Sequence, residues 1–213
     1  MVKATLAAGC ERLLYFQTAL CYGTQPVEQP ISLSHPIRPD SSYAISKTAG
    51  EQYIELSGLD WVSLRLANAY GPRNISGPLP TFFQRLTTGK PVFVMDTRRD
   101  FVFVDDLIDL VWQAVVEGRG HGVYHASSGS DYAIKELLDA TLAALDIQLD
   151  EDVEVRPRAA DDAYTILLDP TRVQGEFGWT PKTPLADGVA QAIAYYRDHG
   201  VTETFTHLKV PAQ

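Results

Sequence analysis

Short apolar segments alternate with longer amphipathic segments along most of this chain. The apolar segments are rich in β-branched and aromatic residues, which is typical of buried strands. They cover residues 12–19, 61–66, 101–104 and 123–126. The amphipathic segments place apolar residues three and four positions apart, which predicts helices. One begins at Ser41 and stops before Gly58, and the others cover residues 80–89, 106–117, 134–145 and 184–199. Strands and helices that take turns predict an α/β fold with a parallel sheet and crossover helices.

The remaining segments predict how this alternation begins, turns and ends. Residues 2–8, followed by a glycine, have the pattern of the last turns of a helix. Residues 23–39 are rich in proline and polar side chains and predict a loop, and the Gly-Pro pair within residues 68–73 predicts a turn. We expect the strand over residues 12–19 to be buried on both faces, as in a parallel sheet. The C-terminal part is mostly helical, so we expect a smaller lobe beside the sheet.

The charge balance limits the partners of the chain. Its 213 residues include 18 Lys and Arg against 27 Asp and Glu, a formal net charge of −9. This excess repels phosphate backbones and argues against nonspecific binding of nucleic acid. No apolar run approaches the roughly 18 residues that a membrane-spanning helix needs. We therefore expect no nucleic-acid partner and no membrane partner.

Cysteine and histidine usage gives no sign of a metal site. Cys10 and Cys21, the two cysteines, lack the spacing of a zinc site or a disulfide framework, so a reducing cytoplasm is the predicted location. The histidines are scattered without ligand spacing, and no metal site is predicted. They are His35, His121, His125, His199 and His207.

The first candidate for chemistry is the segment Tyr43-Ala44-Ile45-Ser46-Lys47. On a helix, residues four apart lie on one face with their Cβ atoms about 5–6 Å apart. The ordinary pKa of a tyrosine, about 10, is too high for a base at neutral pH. A neighbouring lysine charge favours the phenolate form and so lowers this pKa. The same spacing also occurs by chance on solvated helix faces. Support therefore has to come from elsewhere in the chain.

Support comes from Thr18, which lies at the end of the first predicted strand, because ligands of open α/β sheets collect at the carboxyl ends of strands. Thr18 and the segments described next resemble those of the extended short-chain dehydrogenase/reductase family, and within it those of the nucleotide-sugar epimerases and dehydratases. Four segments come in the order and at the spacing of that family, and a Gly-Trp-Thr-Pro segment fits one of its later turns. The segments are Thr18 before Tyr22-Gly23, Tyr43 to Lys47, Leu64 to Arg73 and Arg99 to Asp106, followed by Gly178 to Pro181.

The resemblance implies a fold, a cofactor and roles for three residues. The fold is a Rossmann-like parallel sheet with a small, mostly helical substrate-binding lobe, and the cofactor is NAD. In that family, Tyr43 would take a proton from a sugar hydroxyl, and Lys47 would support the phenolate and hold the nicotinamide ribose. Thr18 would hydrogen-bond the reacting oxygen while hydride passes from the sugar carbon to NAD. The alternative for Thr18 is a hydroxyl that caps a backbone group at the strand end.

The resemblance also implies a nucleotide-diphosphate sugar as the substrate. Asn68 aligns with an asparagine of the family that contacts the diphosphate, although an Asx turn is an alternative for this side chain. Arg99 precedes an Asp-Phe pair as in the family, and Arg158 lies three residues before Asp161, as in a later RxxD segment that grips the nucleotide. Guanidinium suits this task because its fork makes two hydrogen bonds to phosphate. Arg156 stays open as an alternative to Arg158, and a solvated surface position stays open for either Arg99 or Arg158.

The glycine-rich GxxGxxG turn of that family occurs nowhere in the chain. This turn binds the dinucleotide pyrophosphate at a helix N-terminus, and by the family's layout about the first 100 residues are expected to be absent. We therefore expect weak NAD binding and little turnover. Residues 1–71 and 99–130 are assigned to a partial NAD-binding domain, and residues 72–98 and 131–213 to the substrate-binding lobe. Because the family's dimer uses the helices beside this part of the sheet, a homodimer is expected.

Ala19 and Leu20 narrow the reaction that the resemblance implies. In the 4,6-dehydratases of the family these positions hold Asp and Glu, because elimination of water needs an extra acid and base. The resemblance therefore favours an NAD-dependent epimerase of a nucleotide-diphosphate sugar, acting at C4 by transient oxidation to a keto sugar. Two alternatives stay open. One is an NADP-dependent reductase of a keto sugar or carbonyl compound, and the other is a noncatalytic relative that binds a sugar nucleotide.

Overall fold

A parallel three-stranded sheet lies between helices in the structure, a computed structural model that describes residues 2–159, 162–201 and 204. The helices are α1 (Val2–Ala7), α2 (Ser42–Glu55), α3 (Pro78–Thr87), α4 (Val104–Val115), α5 (Ile134–Leu145), α6 (Thr171–Phe177) and α7 (Leu185–His199), with a 3₁₀ turn over Ala19–Tyr22. The strands are β1 (Arg12–Thr18), β2 (Asp60–Leu66), β3 (Asn68–Tyr70), β4 (Phe93–Met95), β5 (Arg98–Arg99), β6 (Phe101–Phe103), β7 (Gly122–Ala126), β8 (Tyr132–Ala133) and β9 (Glu154–Arg156).

The central sheet consists of the three longest strands in the order β1-β2-β7, all parallel. Its register pairs Thr18 with Leu66 and Leu66 with Ala126, so the carboxyl ends of the strands meet at one edge. Helix α2 connects β1 to β2, and α4 lies in the crossover from β2 to β7. The predicted fold class, a Rossmann-like parallel sheet with crossover helices, is confirmed.

Successive residues of β2 face opposite helix layers, as the pleat of a strand requires. Val62 and Leu64 pack in one apolar cluster with residues of α4 and α6. Ser63 and Arg65 instead donate hydrogen bonds to Glu51 of α2. The sheet is therefore covered by α2 on one face and by α4 and α6 on the other.

Three helices form a second apolar core beside the sheet. Helices α3, α5 and α7 contribute the buried side chains of Phe82, Leu138 and Ile193. The parallel pair β4-β9 lies beside these helices, and β4 contacts α5. Tyr70 of β3 and Phe101 of β6 pack into the same core. The pair β3-β6 therefore joins the helical region to the sheet edge.

Strand β1 is an edge strand, and the prediction that it is buried on both faces is wrong because only one of its seven residues is buried. Within the described ranges it pairs with β2 alone. Phe16 is 41% exposed, and Gln17 is the buried residue of the strand. The apolar composition of a segment predicts a strand, but it does not predict how many strands will pair with it or how much of each face will be buried.

Residues 68–70 form a strand, which corrects the turn predicted over residues 68–73. Asn68–Tyr70 pairs in parallel with β6, and the chain turns only at Gly71, where φ is 143°. The Gly-Pro pair marks the turn, but a strand of three residues before it is too short to show a pattern. For the same reason the short strands β4, β5, β8 and β9 were not predicted.

Three further predictions concern absences or boundaries. Among residues 2–159, 162–201 and 204, none of the helices combines the length and the apolar character that a bilayer span requires. The same ranges contain no group of three or more His, Cys, Asp or Glu side chains that could hold a metal ion.

The division of the chain into two interleaved domains stays a prediction. Asp161 and His207 lie outside the described residues.

Candidate active site

A cavity of about 500 Å³ opens at the carboxyl ends of β1 and β2. This is the edge at which parallel α/β sheets bind their ligands. Leu66, Leu79 and Ile134 contribute apolar parts of its wall. Its polar lining includes Gln17, Thr18, Tyr43, Asn68, Arg99 and Asp162. The cavity therefore brings side chains from both the sheet and the loops beside it to one space.

Thr18 lies at the C-terminal end of β1 and caps the 3₁₀ turn that follows. Its Oγ1 accepts a hydrogen bond from the backbone N of Leu20 at 3.2 Å. The capping role that was the alternative for Thr18 is therefore present. A hydroxyl both accepts and donates, so this bond leaves the proton for donation to a ligand in the cavity. Capping and ligand binding are compatible for this residue.

Tyr43 lies in the first turn of α2, at the helix end nearest the cavity. The side chain of Ser41 accepts a hydrogen bond from the backbone N of Ala44 at 3.2 Å and so fixes the start of the helix. Tyr43 lines the cavity together with Thr18. Two side chains from separate elements of the fold therefore meet at the same space.

Lys47 lies one helical turn after Tyr43 and is not among the described residues that line the cavity. Its Nζ lies 4.7 Å from the centroid of the Tyr15 ring, and the hydroxyl of Tyr15 donates to the backbone O of Lys47 at 3.0 Å. Partial burial lowers the pKa of Lys47. An ammonium that is only partly hydrated interacts more strongly with an anion on the next turn.

Asn68 is the first residue of β3 and lines the cavity. Its Nδ2 donates to the backbone O of Asp100 at 3.1 Å, and its backbone N donates to the same oxygen at 2.9 Å. The side chain is therefore held by β6 and its neighbours rather than by an Asx turn. Its amide oxygen and second amide hydrogen stay available for a ligand.

Arg99 lines the cavity, but the neighbouring chain segment already uses several of its donors. Its Nη2 lies 2.7 Å from Oδ1 of Asp162, and its Nη1 donates to the backbone O of Ala163 at 3.0 Å. Burial lowers the pKa of Arg99, and the Asp162 carboxylate opposes this shift. An anionic ligand would therefore share Arg99 with Asp162, which lines the same cavity.

Arg158 and Arg156 are both exposed and are not among the described lining residues. Nη1 of Arg158 donates to the backbone O of Asp162 at 2.8 Å, so Arg158 supports the segment that holds Arg99. Arg156 pairs with Glu154 at 2.7 Å, with its guanidinium carbon 3.6 Å from the centroid of the Phe93 ring. The structure thus brings Thr18, Tyr43, Asn68 and Arg99 together, and places the two later arginines outside the cavity.

Sequence reasoning missed a buried polar network beneath the site. Arg65 of β2 contacts Glu51 of α2 at 2.5 Å and donates to the hydroxyl of Tyr22 at 2.6 Å. That hydroxyl lies 2.6 Å from Nε2 of His125, whose Nδ1 lies 2.9 Å from the backbone O of Asp169. The signal for this network was available, because a charged residue inside an apolar strand segment needs a buried partner.

Asp100 was also missed, although it follows Arg99 in a recognised motif. It is fully buried, and its carboxylate accepts a hydrogen bond from the backbone N of Ser128 at 3.0 Å and further bonds from the hydroxyls of Ser127 and Ser128. Burial raises the pKa of Asp100, and these bonds oppose the shift. Asp100 therefore ties the segment that carries Arg99 to the loop after β7.

Comparison with known proteins places this geometry in a family. The model of the family described as NAD dependent epimerase/dehydratase matches residues 1–127 of the chain. Among curated proteins, the UDP-glucose 4-epimerase of Mycolicibacterium smegmatis is 30% identical over 211 residues, which cover 93% of this chain and 66% of that protein. The chain therefore spans slightly less than two thirds of the length of this relative.

Two solved structures from Bordetella bronchiseptica are similar to the chain over almost its whole length. The enzyme WbmH, in complex with NAD⁺, is 54% identical with a TM-score of 0.87, over 94% of this chain and 66% of that one. The enzyme WbmG, in complex with NAD and UDP, is 44% identical with a TM-score of 0.89, over 99% of this chain and 67% of that one.

Proposed function

Because this chain belongs to the NAD-dependent epimerase/dehydratase family, we propose that it is an NAD-dependent epimerase of a nucleotide-diphosphate sugar that inverts C4 through transient oxidation. The observation that carries the proposal is the cavity shared by Thr18 and Tyr43. Similarity to WbmG, which was crystallised with NAD and UDP, supports both ligands. The similarity to a UDP-glucose 4-epimerase supports the reaction type.

The residues of this chain fit the nicotinamide-ribose end of NAD. Lys47 forms no ion pair with any described residue, and in this proposal its ammonium leaves the Tyr15 ring to bind ribose hydroxyls. When bound, NAD would supply the acceptor for a hydride from the sugar carbon.

In this proposal three side chains take part in one proton transfer. Tyr43, as the phenolate, accepts the proton of the sugar C4 hydroxyl, and later gives it back. Lys47 stabilises that phenolate from the next helical turn. The hydroxyl of Thr18 donates a hydrogen bond to the C4 oxygen and orients it toward Tyr43. Leu66 and Leu79 form an apolar part of the cavity wall.

The other polar residues support binding of the diphosphate. Asn68 and Arg99 line the cavity with Thr18, and an amide and a guanidinium are suitable donors to phosphate oxygens. The family's assignment of Arg158 to the nucleotide stays a prediction, since its contact in the structure is with Asp162. We propose that Arg158 acts on the ligand through that segment.

The side chains after Thr18 argue against elimination of water. Leu20 lines the cavity and Ala19 is buried, so neither supplies the acid or base that a dehydratase needs. Of the described residues that line the cavity, Asp162 is the carboxylate, and it is paired with Arg99. Oxidation followed by return of the hydride, without elimination, is the reaction that these residues support.

Product analysis tests the proposal. The protein is incubated with excess NAD and a UDP-hexose that carries deuterium at C4, and the hexose is analysed by NMR. We expect the C4 epimer to form slowly with the deuterium retained, because hydride leaves and returns to the same sugar. Oxidation of NADPH by a keto sugar without epimer formation would contradict the proposal and indicate a reductase. Binding of UDP with neither conversion would indicate a noncatalytic relative.

We also propose that two copies of the chain associate through α2. Its solvent side carries Ile45, Tyr53 and Leu56, which are 54%, 72% and 85% exposed, and an apolar stripe of this kind marks an interaction face. Sedimentation equilibrium should give a dimer for the wild type and a monomer for Leu56→Asp. Val27→Asp, at a loop position that is 72% exposed, is the matched control. A monomeric wild type would contradict the proposal.

A reducing cytoplasm stays the predicted location of the protein. Cys10 is exposed and Cys21 is buried, and both are free thiols. Burial raises the pKa of Cys21 to about 12, which keeps this thiol protonated and unreactive.

A further inference from the structure

Gln17 precedes Thr18 in β1 and is 1% exposed. Its Oε1 accepts a hydrogen bond from the backbone N of Thr18 at 2.8 Å. Its Nε2 is buried and has no hydrogen-bond partner among the described residues. Buried amide groups almost always have partners, because a donor removed from water without one is costly. An unpaired donor at this position therefore calls for an acceptor.

The two side chains in register with Gln17 across the sheet offer no free acceptor, and Thr48 Oγ1 of α2 is likewise buried without a partner among the described residues. Gln17 lies in register with Arg65, which lies in register with His125, so the three side chains form a row on one face of the sheet. Arg65 has donors only, and they are taken up by Glu51 and by the hydroxyl of Tyr22. Both ring nitrogens of His125 are already within hydrogen-bond distance of partners.

The open side of Gln17 is the cavity. Gln17 lines it next to Thr18, at the end where Tyr43 also lies. The bond from Thr18 fixes which end of the amide is oxygen, so the unpaired end is the NH₂ group. The torsion about the last side-chain bond has a broad minimum, so the amide can adjust to a ligand oxygen in the cavity.

We propose that Gln17 is a ligand-binding residue whose side-chain amide donates a hydrogen bond to an uncharged oxygen of the ligand, beside the oxygen that Thr18 contacts. The inference rests on the proposed function, because it places the reacting end of the ligand at this end of the cavity. Two ligand oxygens have this chemistry. One is a hydroxyl or carbonyl oxygen of the sugar, and the other is the carboxamide oxygen of nicotinamide.

Two substitutions separate the two halves of the Gln17 amide. Gln17→Met keeps the shape and removes both hydrogen bonds. Gln17→Glu keeps the acceptor for the Thr18 backbone N, and supplies a donor only while the carboxyl is protonated. Burial raises the pKa of a carboxyl at this position and the charge of Arg65, its partner in register, lowers it. Whatever the balance, the donor is present below that pKa and lost above it. Gln52→Met, at an exposed position of α2, is the matched control.

Calorimetry then measures the affinity of each protein for NAD and for a UDP-hexose, separately and together, between pH 5.5 and pH 8.5. Other charged or titratable groups lie close to Gln17, Arg65 and His125, and their titration could also change the affinity. The wild type is therefore measured over the same pH range as a reference. These groups include Glu51, Tyr22 and Tyr43. We expect Gln17→Met to weaken one of the two ligands about tenfold, and the ligand affected identifies the oxygen. We expect Gln17→Glu to bind that ligand almost normally at low pH and progressively worse as the pH rises.

The outcomes separate this inference from the function on which it rests. A wild type that binds neither ligand overturns the proposed function. A wild type that binds, with Gln17→Met and Gln17→Glu equal to it at every pH, overturns the inference alone. A loss in Gln17→Met with wild-type affinity in Gln17→Glu at every pH would also overturn it, because Gln17 would then act only through its bond to Thr18. If Gln17→Met fails to fold, the pH dependence of Gln17→Glu decides.

Discussion

The guanidinium of Arg65 lies 2.5 Å from the carboxylate of Glu51, and both side chains are buried. Arg65 belongs to the central strand of the sheet, and Glu51 lies on α2 one turn after Lys47. The pair therefore fixes the helix that carries Tyr43 against the strands whose ends form the cavity. Removing one partner would leave a buried charge without compensation.

Glu51→Gln is expected to lower the free energy of unfolding by about 3–5 kcal/mol, because Arg65 stays charged and buried. Urea denaturation measures the loss. Asp139→Asn is the control, since it breaks the exposed Lys135–Asp139 pair, which is worth less than about 1 kcal/mol. Equal losses in the two variants would contradict a special role of the buried pair.

His125 is expected to make stability depend on pH. Burial lowers the pKa of His125 from 6.5 to about 4, so the folded state disfavours the charged ring. Because the folded pKa lies below the unfolded one, the contribution is complete above pH 6.5 and is lost as the pH falls toward 4. The loss amounts to about 3 kcal/mol.

Denaturation at several pH values between these limits measures this contribution. His125→Gln should flatten the pH dependence of the unfolding free energy relative to the wild type, whereas the remaining carboxylates titrate equally in both proteins. Identical slopes would show that His125 does not carry the effect.

Asp162 is expected to weaken the binding of a diphosphate at Arg99, because its carboxylate lies 2.7 Å from Nη2 of that arginine. Asp162→Asn should therefore lower the dissociation constant of UDP several-fold, and Arg99→Met should raise it about tenfold or more. Calorimetric titration with UDP measures both. Arg98→Met is the control, since Arg98 pairs with Asp131 instead, and an equal loss in Arg98→Met would contradict a specific role of Arg99.

Thr18→Val keeps the shape of the side chain and removes its hydroxyl. We expect kcat for epimerisation to fall about 100-fold, the effect of losing one donor to a reacting oxygen. The dissociation constant of UDP should stay unchanged, since we propose that Asn68 and Arg99, and not Thr18, bind the diphosphate. Thr87→Val is the control, since among the described residues the Thr87 hydroxyl bonds to backbone oxygens of α3. A matching kcat in the two variants would exclude Thr18 from the reaction.

The parts of the fold that the sequence predicts are those with a pattern of their own. Helix α5 has the predicted bounds, Ile134–Leu145, because its apolar residues recur at helical spacing over twelve residues. The central strands were also predicted from apolar runs. The edge position of β1 and the short strand Asn68–Tyr70 were not, because strand pairing depends on neighbours far away in the chain.

The candidate site divides in the same way. Thr18, Tyr43, Asn68 and Arg99 come from motifs, and the structure places all four at one cavity, while their roles stay predictions. Asp162 could not be predicted, since its importance comes from its contact with Arg99. Gln17 and Arg65 could have been predicted, because a polar residue in a buried strand needs a partner.

The central claim is that Tyr43 exchanges a proton with the sugar, and turnover of Tyr43→Phe tests it most directly. The rate of C4 epimerisation of a UDP-hexose is measured by NMR with excess NAD, beside Tyr53→Phe, which alters an exposed tyrosine of the same helix. The account predicts that Tyr43→Phe loses at least about 100-fold in rate, with UDP binding retained, and that Tyr53→Phe keeps the wild-type rate. Wild-type turnover by Tyr43→Phe would contradict it.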